Sequence, residues 1–169
     1  NAVQGASLSG AREVIAVDIA DDKLAAATNL GATHVVNGKT EDAVARVREL
    51  TGSRGADYVF VTVGAQSAFA DAYKMLARGG AAVLVGMAAV GVTSEFDPLT
   101  LAGDSQRILG SKMGSSNIHQ DIPNLVTLYE QGRLKLDELI TARSSLEDIN
   151  EAIASVERGE AVRNVVVFN

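Results

Sequence analysis

The 169-residue sequence has no cysteine and no tryptophan, only two prolines and two histidines, and few aromatic side chains. The absence of cysteine excludes a disulfide framework and any thiolate metal site within these residues. Basic residues are the minority, 15 against 21 acidic ones, and the net charge of −6 argues against a nucleic-acid or anionic-membrane partner. No apolar run has the length of a membrane-spanning helix, and the first residues lack a basic-then-apolar leader pattern. The expectation is a soluble, cytoplasmic protein. What is abundant is small and apolar: hydrophobic residues make up 47% of the chain, with Ala, Val, Leu and Gly frequent. That composition suits helices packed closely on a sheet and excludes a disordered chain.

Strand-like and helix-like runs alternate. Residues 1 to 9 read as a helix, with Val3 and Ala6 on one face. Val14 to Val17 is a short β-rich run ending at Asp18. Asp21 can cap the next helix, Leu24, Thr28 and Leu30 form its inner stripe, and Gly31 sits at a left-handed stop. His34 to Asn37 reads as a second strand, and residues 41 to 51 as a helix. Tyr58 to Val63 is a continuous apolar run, as in parallel strands covered on both faces. Residues 66 to 78 read as a helix ended by Gly79-Gly80, followed by strands at Ala82 to Val85 and Ile108 to Ser111. Beyond residue 114 the rhythm changes. A helix is expected over 121 to 131 with Ile122, Leu125, Val126 and Tyr129 inside. Another starts at Ser145 in a capping-box pattern with Asp148, with Leu146, Ile149, Ile153 and Val156 inside. A strand spans Val165 to Phe168.

Strands separated by helices imply right-handed crossovers and a doubly wound parallel sheet, in which ligands meet the carboxyl ends of the strands. Asp18 stands at one such end. A carboxylate there can accept bonds from both hydroxyls of an adenosine ribose and repel a 2′-phosphate; equally, it can simply stabilise a helix start. Lys23 either reaches the same ribose or is solvated. Gly64 and Gly86 follow strands, where backbone can approach a flat ligand or merely turn. Arg163 precedes the last strand, where it can meet a phosphate or a carboxylate. His34 and His119 are far apart and read as surface side chains, not as a metal site. A G-x-G-x-x-G loop would belong about 20 residues before Asp18, ahead of residue 1; Gly5 and Gly10 are wrongly spaced for it.

In this order and spacing, "REVIAVDIADDKLAAATNLGATHVVN", "GADYVFVTVG", "GGAAVLVGM", "LGSKMGS", "LDELIT" and "LEDINEAIASVERGEAVRNVVVF" resemble the zinc-type, medium-chain alcohol dehydrogenases over nearly the whole chain. "GSKMGSSNIHQDIPNLVTLYEQGRLKLDELIT" is most similar to the bacterial aryl- and nitroso-acceptor branch and its thiol-adduct relatives. The resemblance implies a Rossmann-like, doubly wound α/β sheet lacking its first strand and glycine loop. Residues 1–113 would be the NAD-binding domain and 114–169 a segment returning to the catalytic domain. It implies that Asp18 holds the adenosine ribose with help from Lys23, and that Val63 and Gly64 lie near the nicotinamide ribose. Backbone groups of Val85, Ser111 and Met113 would hold the carboxamide, and Arg163 the pyrophosphate. No catalytic residue and no metal ligand falls in this chain; the family's zinc would sit on an N-terminal domain not included in it.

The function implied is that of the cofactor-binding portion of an NAD-dependent alcohol dehydrogenase, passing hydride between an alcohol and NAD. The partners implied are a small alcohol or aldehyde and a second copy, as homodimer or homotetramer, paired near Thr93 to Phe96. Alternatives are a zinc-free, quinone-reductase-like NADPH oxidoreductase, a methyltransferase-like fold, or a nucleotide-binding or assembly module with no chemistry of its own. Asp18 speaks against NADPH. In the strand order 3-2-1-4-5-6 the absent first strand is central. Its loss would leave two strands and three strands facing a gap, so the chain is expected to be one piece of a longer protein, inactive alone.

Overall fold

The computed structural model describes residues 1–168; residue 169, the last of the expected return segment, lies outside them. Residues 1–117 form one compact unit and the chain from Ile118 a second.

In the first unit, helix and strand alternate as α1 Ala2–Leu8, β1 Ile15–Asp18, α2 Asp21–Asn29, β2 His34–Asn37, α3 Ala43–Leu50, β3 Ala56–Val61, α4 Gln66–Ala72, β4 Leu76–Leu84, α5 Pro98–Gly103 and β5 Arg107–Gly110. β1 pairs with β2 in parallel, from Ile15 opposite His34 to Asp18 opposite Asn37. β3, β4 and β5 form a second parallel sheet in that order. Among the described residues no strand joins the two sheets. β1 and β3 each have one paired edge only, matching the interruption expected from the sequence.

Local chemistry explains the boundaries. Asp42 caps α3 by accepting from the Ala45 N–H at 3.0 Å. Asp97 caps α5, accepting from the Leu99 and Thr100 N–H groups, with Pro98 at the first helical position. The hydroxyl of Thr100, then the Leu99 N–H, hold the Asp97 carboxyl below the usual carboxylate range. Asp21 does not cap α2: it is the first helical residue, Ala20 is the cap, and no side chain closes that end. Val36, Leu24 and Val47 are buried on the β1–β2 side, while Val61, Ala72, Leu76 and Ala82 form the core of the other sheet beneath α4.

One expected helix is shorter than its sequence pattern. After Ala72 the chain tightens into a 3₁₀ turn, Tyr73–Met75, and Leu76 begins β4. Leu76 and Ala77 are both buried, with Leu76 opposite Ala56. Gly79-Gly80 therefore does not end a helix. Gly79, at φ +72°, sits inside the strand, where the register with β3 skips from Ala56–Leu76 to Tyr58–Ala81.

The second unit holds α6 Ile118–Glu130, β6 Ala142–Ser144, α7 Ile149–Glu157 and β7 Asn164–Val166, with β6 and β7 parallel. Leu134 and Leu139 are its buried apolar residues. The expected inner stripes are not inside. Ile122, Leu125, Val126 and Tyr129 of α6, and Leu146, Ile149, Ile153 and Val156 at α7, are all exposed. The helical period marks an apolar face but not what covers it. The expected capping box is also unformed: Ser145 Oγ donates to Asp148 Oδ2 at 3.0 Å, the helix begins at Ile149, and Asp148 makes no side-chain bond to its backbone.

Candidate functional site

The carboxyl ends of the strands carry two clusters in the first unit. At β1 and β2, the Asp18 Oδ1 accepts from the Ile19 N–H at 2.7 Å and the Ala20 N–H at 3.0 Å. Oδ2 makes no hydrogen bond among the described residues, so one carboxylate oxygen is fixed and one is open. Asn37, opposite Asp18, donates from Nδ2 to Asp21 Oδ1 at 2.6 Å. The Gly38 N–H donates to the Asp18 carbonyl at 2.9 Å. Lys23 is half-buried in the first turn of α2, two residues beyond Asp21.

At β3, β4 and β5 the loops beyond the strands are stitched backbone to backbone. The Val61 carbonyl accepts from both Val85 N–H, at 2.9 Å, and Gly86 N–H, at 2.8 Å; the Leu84 carbonyl accepts from Ser111 N–H at 2.9 Å. Gly64 and Gly86 interlock here. A Cβ on Gly64 would overlap the Met87 carbonyl, and a Cβ on Gly86 would overlap the backbone of Val63. Neither glycine has positive φ, so the requirement is for close approach and not for a left-handed turn. Val63, Gly64, Val85 and Ser111 are thus brought to one end of one sheet. Met113 lies two residues beyond Ser111 at φ +50°, in a turn with Gly114 and Ser115 that is left-handed at all three residues; its side chain is exposed.

Arg163 belongs to the second unit, where it precedes β7. Its carbonyl accepts from Thr141 N–H at 2.7 Å. Its guanidinium is exposed and makes no ion pair among the described residues. His34 Nδ1 lies 3.0 Å from Thr33 Oγ1, and His119 is on α6. Among the described residues no three His, Cys, Asp or Glu side chains group as metal donors, so the residues here do not fit a zinc centre. No described helix is long and apolar enough to cross a membrane. A cleft of about 380 Å³ opens on the α4 side of the second sheet, bordered by Phe69, Tyr73, Leu84, Gly86, Phe96 and Ile108.

Asn37 joins this strand end without standing out in the sequence. An asparagine ending a strand before a Gly-Lys-Thr turn is the local signal available for it, because its amide can bond to its own turn.

Residues 1–131 match the model of the zinc-binding dehydrogenase family. An NDMA-dependent alcohol dehydrogenase of Amycolatopsis methanolica is 38% identical over the whole chain, which spans 46% of that protein's length. A zinc-binding-domain alcohol dehydrogenase of Burkholderia ambifaria superposes at a TM-score of 0.95 with 36% identity, over 99% of this chain and 45% of its own. The benzyl alcohol dehydrogenase of Acinetobacter calcoaceticus also superposes at 0.95, with 33% identity, over 99% and 46%. The chain thus spans about half the length of these relatives, shares their Rossmann-like α/β fold, and belongs to the zinc-binding dehydrogenase family.

Proposed function

We propose that residues 1–113 form the NAD-binding part of an alcohol dehydrogenase and residues 114–169 the segment that returns to its catalytic domain. The carrying observation is the half-satisfied carboxylate of Asp18, with Oδ1 held by two N–H groups and Oδ2 open. That arrangement suits the paired hydroxyls of an adenosine ribose. Lys23, in the next helical turn, supports the same end. The interlocked backbone at Val63, Gly64 and Val85, with Ser111 and Met113 beyond it, suits a flat nicotinamide ring laid against the sheet end. Arg163 is the cation offered to the pyrophosphate.

NAD would supply the hydride acceptor for an alcohol, or NADH the donor for an aldehyde. The family's zinc would be held by residues outside those described. An upstream portion of the same protein would complete the sheet. The names of the relatives favour an alcohol substrate over a quinone, and family membership sets aside the methyltransferase-like alternative. A homodimer or homotetramer would pair near Thr93 to Phe96, where Phe96 is exposed. A cytoplasmic location completes this reading.

Titrating the intact protein with NADH and NADPH, followed by nucleotide fluorescence, tests it. NADH should bind at least about tenfold tighter, the discrimination expected of a carboxylate facing the 2′ position. Equal affinities would remove Asp18 from the ribose site.

A further inference from the structure

The strand end that carries Asp18 is braced from its neighbour. Asn37 uses its whole amide: Nδ2 donates to Asp21 Oδ1 at 2.6 Å, and Oδ1 accepts from the Lys39 N–H at 2.9 Å. Its own N–H donates to Glu41 Oε1 at 3.2 Å, and its carbonyl accepts from the N–H groups of Thr40 and Glu41. The next residue, Gly38, donates to the Asp18 carbonyl. Asn37 thus ties the β2–α3 turn to the first residue of α2 beside the end of β1.

The consequence reaches Asp18 through two short steps. Asp21 heads α2, and the residues just before it, Ile19 and Ala20, supply the N–H groups that fix Asp18 Oδ1. Ala20 cannot close the helix start with a side chain. The Asn37 amide, bonded to the Asp21 side chain, and the Asp18 carboxylate, bonded to the Ala20 N–H, are thus the side chains that hold the start of α2. The Asn37 bond keeps a second carboxylate, Asp21, at the strand end where a nucleotide's ribose would lie. Asp22, Glu41 and Asp42 add negative charge along the two neighbouring turns, against Lys23 and Lys39.

We propose that Asn37 is a positioning residue for the adenosine ribose. It acts through Asp21 to hold α2 and the Asp18 carboxylate, while Asp21 adds a negative charge that disfavours a 2′-phosphate. The proposal rests on the ribose role of Asp18 given above. Hydrogen bonds to charged groups are strong enough that losing this one changes binding measurably.

The test measures NADH and NADPH dissociation constants for the intact protein and three variants. Asn37→Ala and Asp21→Ala each remove the brace and should weaken NADH binding roughly five- to tenfold. Asp21→Asn keeps an acceptor for Asn37 and should recover most of that loss, yet bind NADPH several-fold tighter than wild type because the charge is gone. A merely structural role would not separate Asp21→Asn from wild type by nucleotide. If Asn37→Ala fails to fold by circular dichroism, the Asp21→Ala and Asp21→Asn pair decides. Wild-type NADH affinity in Asn37→Ala or Asp21→Ala, or no rescue by Asp21→Asn, overturns the role of Asn37 alone. A wild-type protein that does not distinguish NADH from NADPH overturns the Asp18 reading, and this proposal with it.

Discussion

Gly86 carries a steric demand that its sequence neighbours do not show. A methyl group there would fall on the backbone of Val63, and backbone cannot yield as a flexible side chain can. Gly110, at the end of β5, has open space within 4 Å of the point where a Cβ would stand, and no positive φ. Gly86→Ala should therefore cost about 2 kcal/mol or more of stability, whereas Gly110→Ala should be neutral or slightly stabilising, since alanine loses less backbone freedom on folding. Thermal unfolding of the two variants checks this; equal melting temperatures would mean the loops are not interlocked. Gly86 is legible in the sequence as the residue after a strand, but its contact with backbone is not, because that depends on the loop opposite. Asp18 is legible for the opposite reason. What is legible is its place at the end of β1, which the apolar run before it already marks.

Elements are legible where period and punctuation agree. β2 lies where its β-branched run predicts, and α3 follows a capping aspartate. The start of β4 is not legible, because Met75, Leu76 and Ala77 fit a helical stripe as well as a buried strand, and only burial opposite Ala56 decides. That start is also where the two sheets are tied. Arg48 of α3 reaches across to donate from Nη2 to the Lys74 carbonyl at 2.7 Å and from Nε to the same oxygen at 3.1 Å. It touches the Leu76 carbonyl at 3.4 Å. Arg48→Met keeps the apolar stem and removes these bonds. Two charged hydrogen bonds to the Lys74 carbonyl support an expected loss of about 1–2 kcal/mol. A drop of several degrees in melting temperature is the outcome to look for. An unchanged melting temperature would show that packing alone holds α3 to this turn.

At the scale of the first unit, the decisive feature is an interruption. β1 and β2 make one sheet, and β3, β4 and β5 another. β3 is apolar on both faces: Val61 is buried, while Tyr58 and Phe60 stack at 6.4 Å between ring centroids and are exposed. Runs of that kind belong to parallel strands covered on both sides, and exposed strand edges leave peptide groups that a buried sheet must pair. The apolar runs show in the sequence that the strands are of the buried type, but not what pairs the free edges of β1 and β3. Successive N–H groups of a strand point to opposite neighbours. With partners only at β2 and β4, alternate amides of Ile15–Asp18 and of Ala56–Val61 should exchange quickly with solvent, in a period of two. With a parallel strand seated between β1 and β3, as proposed for the intact protein, every amide in both segments should be slow. Hydrogen exchange resolved to single residues in the intact protein separates the two cases. Uniform protection of both segments is the expected result, and an alternating pattern in either would show that no strand fills the interruption.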